Sequence, residues 1–172
     1  MVDFEVVALP ETDAITEGDT APEFTRPLVD EEFWSDQSLS ALTDDGPVLL
    51  LFHPMDGTFQ STYLYNNVAD YGWDTRDGLE VVGLSTSSPY EHTTLLAERD
   101  VDARVFSDPS NEVAAEYGVV NDLDGMSGIT EPRTAAYLLD TDRTVQYAWV
   151  AAEQPDFPPY DELQAAIDQL IE

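Results

Sequence analysis

Residues 47–53, PVLLLFH, are an unbroken apolar run closed by a histidine and then Pro54. A run without polar alternation suits a strand covered on both faces, which is found where helices flank a sheet on either side. Residues 79–85, LEVVGLS, repeat the pattern. Between the two, residues 58 to about 72 carry Phe59, Tyr63, Leu64, Val68 and Tyr71 at roughly helical spacing. Two buried strands joined by a helix pack most readily as a right-handed parallel unit. Whatever else this chain forms is therefore built around a central sheet.

The remaining chain extends that reading. Ser88, Pro89 and Glu91 form a capping box with proline at the first helical position, which predicts a helix over 89–99. ARVFS, ending at Ser107, reads as a short strand. SDPSNEVAAEYG predicts a helix capped by Asp108, with Pro109 at its first position and Gly118 past its end. Residues 134–140 and 144–151 predict two strands joined by a tight turn at Thr141, Asp142 and Arg143. FTRPLV (24–29) predicts another short strand. Leu163, Ala166, Ile167, Leu170 and Ile171 mark one face of a C-terminal amphipathic helix. Residues 1–17 read as an N-terminal extension with one strand in FEVVAL, and 18–172 as a single domain. Strands alternating with helices, closed by a hairpin, predict an α/β fold: a thioredoxin-like three-layer α/β/α sandwich with a mixed sheet.

Charge restricts the partners. Among 172 residues, 36 are acidic and 6 basic, a formal net charge of −30. All six cations are arginines and there is no lysine. Such a surface repels itself unless salt screens it, which points to a high-salt cytoplasm. The same charge argues against nucleic acid and anionic membranes as partners. There is no cysteine, so disulfides, thiolate metal sites and cysteine nucleophiles are all excluded. The N-terminus shows no signal-peptide pattern and the chain no 18-residue apolar stretch, so a cytoplasmic protein without a membrane span is expected.

Five stretches then match one family in order. GDTAPEF (18–24) resembles the G-x-x-A-P-[DE]-F opening of peroxiredoxins, and FHPMDGTFQST (52–62) their F-x-P-x-x-x-T-x-x-C loop. VVGLSTSSPYEH resembles V-x-G-[IV]-S-x-D-S-x-x-x-H, and FSDPSNEVAAEYGV resembles L-S-D-x-x-x-x-[VA]-A-x-x-[YF]-G-V. GITEPRTAAYLLD resembles G-[IV]-x-x-x-R-x-x-[FY]-[IL]-[IL]-D. Each motif is weak alone; five in register from residue 18 to about 151 are strong. The chain resembles the alkyl hydroperoxide reductase/thiol-specific antioxidant family, nearest to its bacterioferritin-comigratory type.

The resemblance implies a peroxiredoxin variant of the thioredoxin-like fold and an antioxidant, peroxide-reducing ancestry. It assigns Pro54 to the proline that shields the peroxidatic thiolate, Thr58 to the threonine that hydrogen-bonds the site, and Arg133 to the arginine that lowers the thiol pKa. The peroxidatic cysteine would stand at position 61, where this chain has Ser61. A resolving cysteine five residues on would fall at Asn66. Ser61 is either an exchange made for a cysteine or the natural residue of a divergent, cysteine-less member. The unusual flanks, Gln60, Tyr63 and Ser87 in place of the family's aspartate, favour the second.

A cysteine with a free pKa of about 8.5 is brought below neutral by a helix N-terminus and a cation. A serine hydroxyl starts several units higher, so the same surroundings leave it neutral and a poor nucleophile toward peroxide oxygen. Pro54, Thr58 and Arg133 could still frame a peroxide or small anion at the helix N-terminus without turning it over. The expectation is a family member without thiol peroxidase turnover; the alternative is a non-catalytic binding or interaction module on the same scaffold. No cofactor and no metal are expected, and the resemblance makes a homodimer a reasonable assembly.

Other readings are weaker. A serine hydrolase at Ser61 needs a base in reach, the only histidines are His53 and His92, and no G-x-S-x-G elbow exists. His53 reads as a packing or backbone-satisfying residue at a strand end, and His92 as a packing or helix-surface one. The acidic residues of NDLDG (121–125) and DVDARVFSD lack the ligand order of a calcium loop and read as a solvated surface. Met55 and Met126 are oxidisable thioethers whose plain reading is packing. Arg133 otherwise reads as a salt bridge to a neighbouring acid, and the isomer of Pro132 is open.

Overall fold

Val48–Phe52 form the strand predicted from the apolar run, with every residue buried. The computed structural model describes residues 6–122 and 127–171. The first residues of FEVVAL, most of the NDLDG cluster, Met126 and Glu172 lie outside the described residues.

In chain order, the elements begin with β1 (Val7–Ala8), β2 (Thr25–Val29), β3 (Trp34–Ser38), α1 (Leu39–Thr43) and β4 (Val48–Phe52). Then come α2 (Phe59–Asp70), β5 (Glu80–Ser85), α3 (Pro89–Arg99), β6 (Arg104–Ser107) and α4 (Glu112–Tyr117). The chain closes with β7 (Val120–Asn121), β8 (Glu131–Pro132), β9 (Ala135–Leu139), β10 (Val145–Val150), β11 (Glu153–Gln154) and α5 (Tyr160–Leu170). The main sheet has seven strands in the order β10-β9-β4-β5-β6-β2-β3. Strand β4 runs parallel to β5, and β5 to β6; β9 is antiparallel to β4 and β2 antiparallel to β6. This is the expected mixed sheet.

Alternation along β4 divides the core. Val48, Leu50 and Phe52 pack with Leu39, Val113, Ala114 and Tyr117 on the α1/α4 face. Leu49 and Leu51 pack with Leu64, Val68, Leu96, Leu163 and Ile167 on the α2/α3/α5 face. That is the three-layer sandwich. Each fully buried leucine contributes about 1.5–3 kcal/mol, so a strand loaded on both faces anchors both layers.

Several details differ from the sequence reading, among them the unforeseen short strands β7, β8 and β11. Strand β3 and helix α1 were not foreseen: WSDQS has little apolar alternation because β3 is an exposed edge, pairing antiparallel with β2 only. Helix α4 starts at Glu112, with Asn111 preceding it at φ 60°, so Pro109 lies outside the helix. Asp108 still serves that end, but by reaching across residues 109–111 to accept from Val113 N in the first turn at 2.9 Å while holding Arg26 Nε at 2.8 Å. On α2, Tyr63 faces solvent, as does Tyr71 just past the helix end, and Tyr65, absent from the predicted stripe, is fully buried.

The extension is stitched to the domain. Strand β1 pairs with β11, and Ile15 N donates to Tyr117 O. Gly118 at the end of α4 has φ +74°, and a Cβ there would lie 2.8 Å from the Ala14 backbone, so the close approach of these segments requires glycine.

Candidate functional site

The predicted site loop joins β4 to α2, at the C-terminal end of a central strand. Thr58 is the α2 N-cap, extended at φ −73° and ψ 151°, and its Oγ1 accepts from Ser61 N at 3.3 Å. Ser61 thus occupies the third helical position, its side chain wholly buried at the helix N-terminus. Its Oγ donates to Pro54 O at 2.9 Å, with Met55 O further off at 3.3 Å. Thr58 Oγ1 lies 2.9 Å from Ser61 Oγ and, having accepted from the Ser61 amide, has its own proton free to donate to that oxygen. Pro54, Thr58 and Ser61 are therefore gathered as one unit.

His53 completes it. Its Nδ1 is 2.8 Å from Pro54 O and 3.1 Å from Ser61 Oγ, and its Nε2 is 2.8 Å from the Tyr65 hydroxyl. A carbonyl only accepts, so Nδ1 carries the proton; Nε2 is then the acceptor of the Tyr65 O–H. Complete burial pushes the His53 pKa down to about 4, the negative charge of Asp56 offsetting only part of that cost. Burial likewise raises Tyr65 well above an ordinary tyrosine. The histidine is within reach of the serine, which the sequence reading did not foresee. It is nonetheless neutral, and its single Nδ1–H, shared between Pro54 O and Ser61 Oγ, leaves no lone pair on that nitrogen to take the serine's proton. A nucleophilic serine needs the reverse.

A second buried cluster holds the loop from the other side. Asp56 N donates to Ser87 Oγ at 2.9 Å, Asp56 Oδ1 accepts from Ser85 Oγ at 3.3 Å, and Asp56 Oδ2 meets His92 Nδ1 at 2.6 Å. His92 is fully buried with its Nε2 unpartnered, so the helix-surface alternative for it is excluded. Met55 N donates to the buried carboxylate of Glu131 at 3.0 Å. Asp56, Tyr65, Ser85 and Glu131 escaped the sequence reading, since two of them hide in a strongly acidic background. The repeated serines of residues 85–88 were the one available signal.

Arg133 is placed elsewhere. Its guanidinium bonds three backbone carbonyls, Pro10 O at 3.0 Å, Val120 O at 3.3 Å and Ala151 O at 3.3 Å, and shares no hydrogen bond with Ser61 or Thr58. Among the described residues it sits in no salt bridge. Burial lowers its pKa, with Asp122 acting in the opposite direction. The cis peptide bond among the described residues is Gln154–Pro155, not the bond to Pro132. Among the described residues no group of three or more His, Cys, Asp or Glu side chains is placed to hold a metal, and no helix is long and apolar enough to cross a membrane.

Two clefts flank the loop. One of about 380 Å³ is lined by Asp56, Gly57, Thr62, Tyr90 and Glu91, among others. The other, of about 470 Å³, is lined by Met55, Thr86, Ser87, Glu91, Ser110 and Thr130 with Pro109, Gly128 and Ile129.

Comparison with known proteins agrees with the sequence motifs. The model of the AhpC/TSA family matches residues 17–148. The chain is 34% identical over 143 residues to the chloroplastic peroxiredoxin Q of Sedum lineare, covering 83% of this chain and 73% of that protein. It is 32% identical to the chloroplastic peroxiredoxin Q of Triticum aestivum over 83% of this chain, and spans only 62% of that relative's length. The crystal structure of the peroxidoxin BcpB from Mycobacterium tuberculosis superposes with a TM-score of 0.71 at 26% identity, covering 91% of this chain and 97% of that one. AhpC of Mycobacterium bovis shares the fold, with a TM-score of 0.74 at 18% identity over 93% of this chain and 99% of that one. Sequence relatives and fold converge on one answer, with serine standing where the cysteine would be: the chain belongs to the AhpC/TSA family, the peroxiredoxins.

Proposed function

We propose that this protein is a peroxiredoxin-family member that performs no thiol peroxidase turnover, and that its former active-site loop serves as a rigid, internally satisfied element. The observation that carries this reading is the state of Ser61: wholly buried, donating to Pro54 O, and accepting from His53 and Thr58. A hydroxyl committed in this way has neither the ionised form nor the exposure that attack on a peroxide needs. Its setting in a salt-rich cytoplasm is part of the same reading, supported by the net charge of −30 and the absence of lysine.

Pro54, Thr58 and Arg133 remain, on this reading, the residues that would frame a peroxide or small anion. Arg133 holds its three carbonyls through Nε and Nη1, so an anion framed by it would be met by Nη2 or would replace one of those carbonyls. The test is a peroxidase assay coupled to thioredoxin and its reductase. The expected result is no NADPH consumption above the blank with hydrogen peroxide or an organic hydroperoxide; sustained consumption would overturn the proposal. Ser61→Cys asks the complementary question. A thiolate at position 61 would receive the His53 Nδ1–H, the Thr58 hydroxyl and the helix N-terminus, so its titration should fall below that of a free cysteine.

The second reading, a non-catalytic binding module, is favoured by the two clefts beside the loop. Assembly as a homodimer belongs to this reading, and sedimentation equilibrium would decide it.

A further inference from the structure

The chain has no cysteine, so its sulfur is confined to three methionines, Met1, Met55 and Met126. Met55 is the one among the described residues. It stands in the site loop between Pro54 and Asp56, half-buried, with its backbone clamped at both ends: N donates to Glu131 Oε2 at 3.0 Å and O accepts from Thr58 N at 3.3 Å. It lines the cleft of about 470 Å³. That volume admits hydrogen peroxide with ease and is of the size that holds small organic molecules. Thr86, on the wall of the same cleft, has a buried hydroxyl with no hydrogen-bond partner. A buried donor left unsatisfied is costly unless something visits it.

We propose that Met55 is a peroxide-reactive site, a thioether that takes up oxygen from hydrogen peroxide or an organic hydroperoxide bound in this cleft, with the Thr86 hydroxyl, once rotated about Cα–Cβ to face the cleft, as the donor to the departing oxygen. The step balances. A sulfur lone pair attacks the terminal oxygen of R–O–O–H, the O–O bond breaks, and the two electrons leave with R–O. The proton of the transferred oxygen passes to R–O by way of the Thr86 hydroxyl. The products are methionine sulfoxide and R–OH; sulfur is oxidised by two electrons and the peroxide reduced by two. The event is stoichiometric, and return to the thioether calls for a reductant of the methionine sulfoxide reductase class. An oxygen on Met55 makes a half-apolar wall polar, so oxidation would also change what the cleft can hold.

The inference stands apart from turnover, and the two readings fail differently. Coupled NADPH consumption tests the proposed function, whereas this inference is tested by timed peptide mass mapping. The protein is exposed to hydrogen peroxide and, separately, to tert-butyl hydroperoxide, beside N-acetylmethionine amide and the urea-unfolded chain. Partial burial alone would make Met55 slower than the free compound. The expected result is instead a Met55 rate at least tenfold above both controls and above Met1 in the same folded chain. Thr86→Val is expected to remove most of that excess while leaving the fold and the Met1 rate unchanged. A Met55 rate equal to or below the unfolded chain would overturn the proposal, and an undiminished rate in Thr86→Val would overturn the donor role.

Discussion

His53 Nδ1 stands 3.1 Å from Ser61 Oγ as a proton donor, because the same nitrogen lies 2.8 Å from the carbonyl of Pro54. A serine and a histidine at this distance ordinarily suggest a nucleophile and its base. Here the partners of the imidazole fix the opposite polarity. A fluorophosphonate reagent should therefore leave no adduct on Ser61 under conditions that label a serine hydrolase completely. Intact-mass measurement checks this, and a stoichiometric adduct mapped to Ser61 would restore the hydrolase reading.

Burial of the same imidazole predicts a pH dependence. The folded pKa of about 4 lies below the ordinary value of 6.5, so the unfolded chain binds the proton first. His53 thus imposes no penalty above pH 6.5, and stability falls as pH drops from 6.5 toward 4. At 1.36 kcal/mol per unit, the full effect is about 3 kcal/mol. Denaturant titrations of the wild type and His53→Gln should diverge by about that amount across this window, the wild type losing more. Parallel curves would mean that His53 is not held neutral.

Gly83 sits where a Cβ would lie 1.8 Å from the Tyr65 hydroxyl oxygen and 3.2 Å from His53 Nε2. Gly83→Ala should cost about 1–3 kcal/mol by displacing that hydroxyl. Tyr65→Phe alone strands the Nε2 acceptor and should cost about 1–3 kcal/mol. Because the two changes act on one contact, the double variant should be more stable than their sum predicts, by about 1 kcal/mol or more. Strict additivity in the cycle would show that position 83 does not meet the tyrosine.

Net charge makes the last prediction. Raising salt from about 0.1 M to about 1 M shortens the screening length from about 10 Å to about 3 Å. With 36 acidic residues against 6 arginines, that should add roughly 2 kcal/mol and raise the Tm by roughly 4–8 °C. A melting temperature indifferent to potassium chloride would remove the case for salt adaptation.

Local signals account for what the sequence made legible. The β4 run needed only its own residues to declare burial on both faces. The Ser88/Glu91 capping box is present as read, with both reciprocal hydrogen bonds. Thr58 and Ser61 were assigned to the site by motif, and that Thr58 caps α2 through the Ser61 amide was not read from the sequence. Features that depend on distant segments were not legible. His53, Ser61 and Tyr65 meet only because a strand ends where a helix begins, and nothing in their spacing reveals which nitrogen holds the proton. The start of α4 was misplaced because Asp108 reaches five residues ahead, to Val113, instead of capping where Pro109 suggested. Arg133 was assigned by motif, and motif carries no record of which carbonyls fold toward it.

Those carbonyls come from three parts of the chain, and one of them, Pro10, belongs to the N-terminal segment that β1 lays against β11. The segment therefore occupies one bond of Nη1 as a tethered, uncharged competitor to an anion approaching that nitrogen. Two ligands that exclude one another at a single group weaken each other to the same degree. An oxyanion captured by Arg133 would loosen the start of the chain, and trimming the start of the chain would raise the arginine's appetite for oxyanions. On the proposed reading of Arg133 as an anion-framing residue, protease sensitivity near residue 10 and anion affinity at residue 133 would be two readings of one equilibrium.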